Sequence, residues 1–130
     1  MKTILICFLF TISAFSQNDT IVQRTVVKQE PYIDVSIIQL IANPEKYDGK
    51  RIKVAGYVNL EFEGTALYLG REDFEHGLLK NALWLEMKSD RGGTFHKEFV
   101  SMIGTFDMKI KGHFGSYSGC IKSITSCYKI

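Results

Sequence analysis

From Lys50 to Phe62 apolar and polar positions alternate without a break. Ile52, Val54, Gly56, Val58, Leu60 and Phe62 fall on one side, and Arg51, Lys53, Ala55, Tyr57, Asn59 and Glu61 on the other. Alternation of this length predicts a strand with one face buried. A glycine in its middle, Gly56, predicts a bend or bulge that lets one strand serve two sheets of a closed barrel. Glu63-Gly64 turns the chain and Thr65 to Leu69 returns as a second strand. Ala82 to Met87 is the third, with Leu83, Leu85 and Met87 on one face and Trp84 and Glu86 on the other. Phe95 to Phe106 is the fourth, again with an interior glycine, Gly104. Ser118 to Ile124 is the fifth, turning Cys120 or Ile121 inward together with Ile124.

The connections are legible too. Asp34 or Ser36 can cap a short helix running to about Ala42, with Val35, Ile38 and Ala42 on its buried side and Ile37 and Ile41 beside them. Asn43-Pro44 stops that helix, Tyr47 packs over its end, and Asp48-Gly49 makes a tight turn. Gly70 to Asn81 interrupts the β pattern with one helical turn, Arg71 to His76, ended by Gly77. Lys88 to Gly93 reads as a flexible turn, and Asp107 to Gly119 as a long glycine-rich loop. Together these elements predict a mostly β domain over residues 34–130, a small five-stranded OB-like barrel with one capping helix before the first strand. The usual helix of such barrels sits between the third and fourth strands, so the helix position here is a departure.

The N-terminus changes the picture of where this barrel works. Met1-Lys2, an apolar run from Ile4 to Phe15 and the small residues Ala14 and Ser16 ahead of polar Gln17 form a secretory signal peptide over residues 1–16. Ile6 before Cys7 does not suit lipidation. The mature chain then starts at Gln17, with residues 17–33 as a linker or edge segment broken by Pro31, and is exported to the periplasm or the medium with no stable membrane insertion. Without Lys2 its charge is almost neutral and its acids and bases are interspersed, which argues against a nucleic-acid partner. Cys120 and Cys127 remain after processing. An oxidising compartment favours a disulfide between them, but seven residues of straight strand span about 23 Å and bridged Cα atoms lie within about 7 Å. Either the chain turns around Ser123–Ser126 and the bridge forms, or Cys120 is buried and Cys127 is an exposed thiol near the end.

The helix with the stretch NPEKYDGKRIKVAGYV, together with LYLGREDFEHG, NALWLEM and KGHFGSYSGCIKSI, resembles a group of uncharacterised exported bacterial proteins related to OB-fold domains. The resemblance implies the fold and export, and it carries no catalytic residue across.

Chemistry is sparse. Glu72 and His76 share a helix face at i, i+4 and are the best metal-ligand pair, but a stable site needs three or four ligands and no spacing supplies the rest, so no metal or other cofactor is expected. His113 stands in a glycine loop beside Ser116, Tyr117 and Ser118; it can contact a ligand or move a proton, yet no orienting partner identifies itself. His96 reads as surface. Tyr57, Tyr68 and Trp84 fall on outward faces of the first three strands, where OB-like barrels stack ligands, or they are covered and serve as core. The leading expectation is a non-enzymatic exported binding module presenting Tyr57, Tyr68, Trp84 and His113 to a protein or glycan. The alternatives are a small envelope hydrolase or metal-dependent enzyme using His113 or the Glu72–His76 turn, and a structural or accessory subunit of an envelope assembly.

Overall fold

The structure is a computed structural model that describes Lys28, residues 30–87 and residues 92–130. The expected signal peptide, most of the linker and residues 88–91 of the turn after the third strand lie outside the described residues. The elements are β1 (Ile33–Asp34), α1 (Ile37–Ala42), α2 (Pro44–Tyr47), β2 (Arg51–Asn59), β3 (Ala66–Tyr68), α3 (Arg71–Glu75), β4 (Ala82–Leu85), α4 (Gly92–Phe95), β5 (Glu98–Asp107) and β6 (Cys120–Lys129). The strand order β1-β2-β3-β4-β6-β5, with β2 also pairing β5, closes five strands into an OB-like barrel and leaves β1 as an extra parallel strand on β2. Among the described residues no helix is long and apolar enough to cross a membrane.

The long β2 strand is what closes the ring. It pairs with β5 from Arg51 to Val58 and takes up β3 from Tyr57 to Asn59. Gly56 stands where the second partner arrives, and a Cβ there would lie 2.6 Å from the Tyr68 carbonyl oxygen and 2.8 Å from Leu67 Cγ. Inside the ring Ile52, Val54, Val58, Leu67, Leu83, Leu85, Val100, Met102, Phe106 and Ile121 form the core, joined by Val35, Ile37, Leu40 and Tyr47 from the N-terminal side.

Several local expectations are corrected. Ser36 is the N-cap, closing a capping box in which its hydroxyl accepts from Gln39 N–H and the Gln39 side chain accepts from Ser36 N–H. Asp34 instead lies in β1, 3.6 Å from Lys53 Nζ. Because the helix begins at Ile37, its buried face runs through Ile37 and Leu40, and Ile38 is 60% exposed. Pro44 both ends α1 and starts α2, where a missing N–H costs nothing. The alternation also stops early: β2 ends at Asn59, Leu60 N–H donates to His96 Nδ1 at 3.1 Å, and Phe62 is thrown outward into a turn. His96 is therefore a partly buried strand-end acceptor, not a surface group.

β6 extends to Lys129 without turning at Ser123–Ser126; the local irregularity there is Ser123 at φ 50°, beside the register break between Ile103 and Thr105. Cys120 pairs across to Asp107 and Cys127 to Met102, so the two cysteines are spread along one strand and no disulfide joins them. Burial pushes the Cys120 thiol up to about 12. A thiol held protonated and out of solvent is inert. Reduction should therefore leave the intact mass of the native protein unchanged, and Cys120 should resist iodoacetamide until the chain is unfolded. A gain of two hydrogens on reduction would show that β6 bends after all.

Candidate functional site

In OB-like barrels the second and third ring strands, together with the loops after the first and fourth, form the ligand face. Here that face is the outside of β3 and β4, flanked by the β2–β3 turn and the β5–β6 loop. The outward residues are Tyr57, Ala66, Tyr68, Ala82 and Trp84, and the chain covers most of them itself. Phe74 of α3, Leu79 and Tyr117 pack onto the face as a second, smaller core. Phe74 reaches both tyrosines, with ring centroids 5.8 Å from Tyr57 and 5.5 Å from Tyr68, and Tyr117 lies 5.4 Å from Trp84. Tyr57 and Tyr68 are each 3% exposed. Burial and a hydrogen bond with Tyr117 push the Tyr68 phenol well above its ordinary value, so it stays neutral. The two tyrosines are core in this structure and offer no open stacking surface.

The β5–β6 loop supplies part of that cover. It leaves β5 through Asp107, whose carboxylate accepts from Lys109 and Ile110 N–H and from Lys122 Nζ at 2.6 Å. These bonds, led by the Lys122 ammonium, hold the carboxyl below its ordinary range. The neck of the loop is tied where Tyr117 N–H donates to the Lys111 carbonyl and Lys111 Nζ donates to the Ser118 carbonyl. Gly112 adopts φ 64°, ψ −155° directly over the indole of Trp84, and a Cβ there would lie 2.6 Å from Trp84 Cδ2. Only glycine holds that conformation routinely.

Beyond Gly112 the loop meets the β2–β3 turn. His113 Nε2 lies 3.5 Å from Glu63 Oε2, an ion pair when the imidazole is protonated. On either side of this contact the two tips point phenylalanines into solvent: Phe62 is 94% exposed and Phe114 is 90% exposed. Neither tip is slack. The β2–β3 turn is held by Asn59 Nδ2 donating to the Gly64 carbonyl and Thr65 Oγ1 donating to the Glu61 carbonyl, with Glu63 at φ 59°. Phe114 sits at φ 53° with its ring 4.0 Å from that of His113. A groove of about 670 Å³ opens along Trp84, lined also by Thr65, Glu86, Met87 and Ser123, and Phe114 lines a separate one of about 580 Å³ with Leu78, Leu79 and Gly115.

Comparison with protein-family models, curated proteins and solved structures finds no match. The site is read from its geometry alone.

Of the residues singled out in the sequence, Trp84 and His113 come together at this face, while Tyr57 and Tyr68 lie beneath it. His113 faces a carboxylate, as a catalytic histidine would, but two of the three nearby hydroxyls, those of Tyr117 and Ser118, are engaged elsewhere. Ser118 donates to the Lys80 carbonyl and Tyr117 is buried. Glu72 and His76 are exposed on α3 and remote in role, and among the described residues no three His, Cys, Asp or Glu side chains gather to hold a metal. Alternation places Phe62 on the inward face of the first strand, and neither Phe62 nor Phe114 stands out as a site residue in the sequence. The available signal was a phenylalanine inside each of two turns, Glu61-Phe62-Glu63-Gly64 and Gly112-His113-Phe114-Gly115, where apolar residues have no core to enter.

Proposed function

We propose that this chain is an exported, non-enzymatic binding module that grips a protein partner with Phe62 and Phe114. The observation that carries this reading is the exposure of two phenylalanines at the tips of two separately braced turns joined through His113 and Glu63. A phenyl ring in water loses on the order of 2 kcal/mol relative to burial, and Phe114 itself and Glu63 next to Phe62 adopt left-handed backbone conformations. Paired, preorganised aromatics fit the hot-spot pattern of protein interfaces. Phenylalanine also lacks the hydroxyl or indole N–H with which sugar-binding aromatics orient a polar ring, which favours protein over glycan. Export rests on the signal-peptide pattern at the N-terminus, and the near-neutral charge supports a partner other than nucleic acid.

The test is site-specific photo-crosslinking in the native cell, with a benzophenone side chain placed at Phe62, at Phe114 and, as a control, at exposed Ile38. The same protein should be captured from both phenylalanine sites and not from the control. Equal capture from all three sites, or glycan adducts in place of protein, would sink the assignment.

A further inference from the structure

The barrel has a second outward face, formed by β2, β5 and β6, and Lys28, Glu30 and Tyr32 border it. Between these residues and the strands lies a cleft of about 410 Å³ lined by Lys28, Tyr32, Arg51, Ile103, Thr125 and Ser126, with one carboxylate, that of Glu30. We propose that this cleft is a binding site for a compact oxyanion group (a carboxylate, phosphate or sulfate) carried by a ligand. The site is separate from the phenylalanine tips and stands or falls without them.

Arg51 is the fixed charge of this cleft. Its Nη2 donates to Thr125 Oγ1 at 2.5 Å, which fixes the guanidinium against β6. Its Nε is buried and, among the described residues, has no hydrogen-bond partner. Buried donors in folded proteins are almost always paired, and one on a charged group is among the costliest to leave unmade. Neighbouring Lys53 differs in this respect, since it is engaged by Tyr128 and Asp34. Among the described residues Arg51 has no ion-pair partner. Its guanidinium is therefore positioned by Thr125 but, among the described residues, answered by no anion.

The surroundings suit an oxyanion. Thr125 Oγ1 already accepts from Arg51, so its own proton is directed elsewhere and can be donated. Ser126 and Tyr32 add hydroxyl donors at the lining and Lys28 adds charge. A planar guanidinium with neighbouring hydroxyls is the usual arrangement for two-oxygen recognition. The competing occupant is Glu30, whose side chain could fold back onto Arg51 and answer it from within the chain.

Arginine Nε–H groups give their own signals in ¹H–¹⁵N spectra, so the site can be watched directly. In labelled full-chain protein the Arg51 signal, assigned by its loss in Arg51→Lys, is followed while phosphate, sulfate and acetate are added in turn. The expected result is a saturable downfield shift of that one signal with at least one of the three anions, and the tightest of them names the group. Thr125→Val should weaken that anion about tenfold while the backbone spectrum stays unchanged. A linear shift shared by all arginine signals would mean an adventitious ion only and would overturn the proposal. So would an Arg51 signal that already moves in anion-free Glu30→Gln protein, since Glu30 would then be the acceptor.

Discussion

Replacing Gly112 with alanine is expected to lift the β5–β6 loop off Trp84. The new methyl carbon would lie 2.6 Å from both Cδ2 and Cε3 of the indole, and the backbone conformation, φ 64° and ψ −155°, is one that alanine avoids. Strain of that kind costs about 1–3 kcal/mol, and the contact with the ring adds to it. The loop can relieve both only by moving outward, because Trp84 is held from behind through its backbone N–H to the Gly119 carbonyl at 2.8 Å. The chain has a single tryptophan, so its fluorescence reports on the surroundings of Trp84, of which this loop is a large part. Emission should shift to the red and acrylamide quenching should rise in folded Gly112→Ala. Crosslinking from Phe114 should fall while crosslinking from Phe62 persists. Unchanged emission would mean that the loop does not rest on the indole.

Gly56→Ala should be the most destabilising single-methyl change in the barrel, by about 3 kcal/mol. Here the backbone is ordinary and the cost is entirely spatial: the added carbon would meet the Tyr68 carbonyl oxygen at 2.6 Å, Leu67 Cγ at 2.8 Å and Ile37 Cδ1 at 2.9 Å. Ile37 can yield at the end of its side chain. The carbonyl cannot, since Tyr68 is paired on both sides, to Tyr57 and to Ala82. The strand would have to part from β3 at the point where the ring closes. Gly49→Ala is the matched control: its φ of 73° disfavours a side chain, but nothing lies within 4 Å of the new carbon, so its cost should be nearer 1 kcal/mol. Urea unfolding of the two variants against the parent decides the order. If Gly49→Ala proves the worse, ring closure at Gly56 is looser than the contacts imply.

Strand content was legible because alternation is a direct consequence of burying one face, and β2, β4 and β5 were placed within a few residues on that basis. Gly56 was legible for the same reason, as a gap in an apolar row. The helix phase was not. Val35 lies outside α1, and counting from it put Ile38 on the buried side in place of Leu40. Periodicity shows that a stripe exists but does not fix where the first turn starts, and the capping box at Ser36 decides that. The burial of Tyr57 and Tyr68 was not legible either. Alternation assigns them outward correctly, but says nothing of Phe74 and Tyr117, which arrive from two separate connections to cover that face. Cover by a distant loop is a tertiary fact. The exposed tips are its complement: Phe62 and Phe114 gain meaning only once the two turns are seen to meet through Glu63 and His113.

Hydroxyl-radical footprinting of the isolated protein, read residue by residue by mass spectrometry, tests most directly whether the chain covers the outer face of β3 and β4 itself and presents the phenylalanine tips instead. Oxidation should be heavy at Phe62 and Phe114 and should spare Tyr57, Tyr68 and Tyr117. Comparable oxidation of those tyrosines, or protection of both phenylalanines in the isolated protein, would contradict the closed face and the contact surface proposed from it.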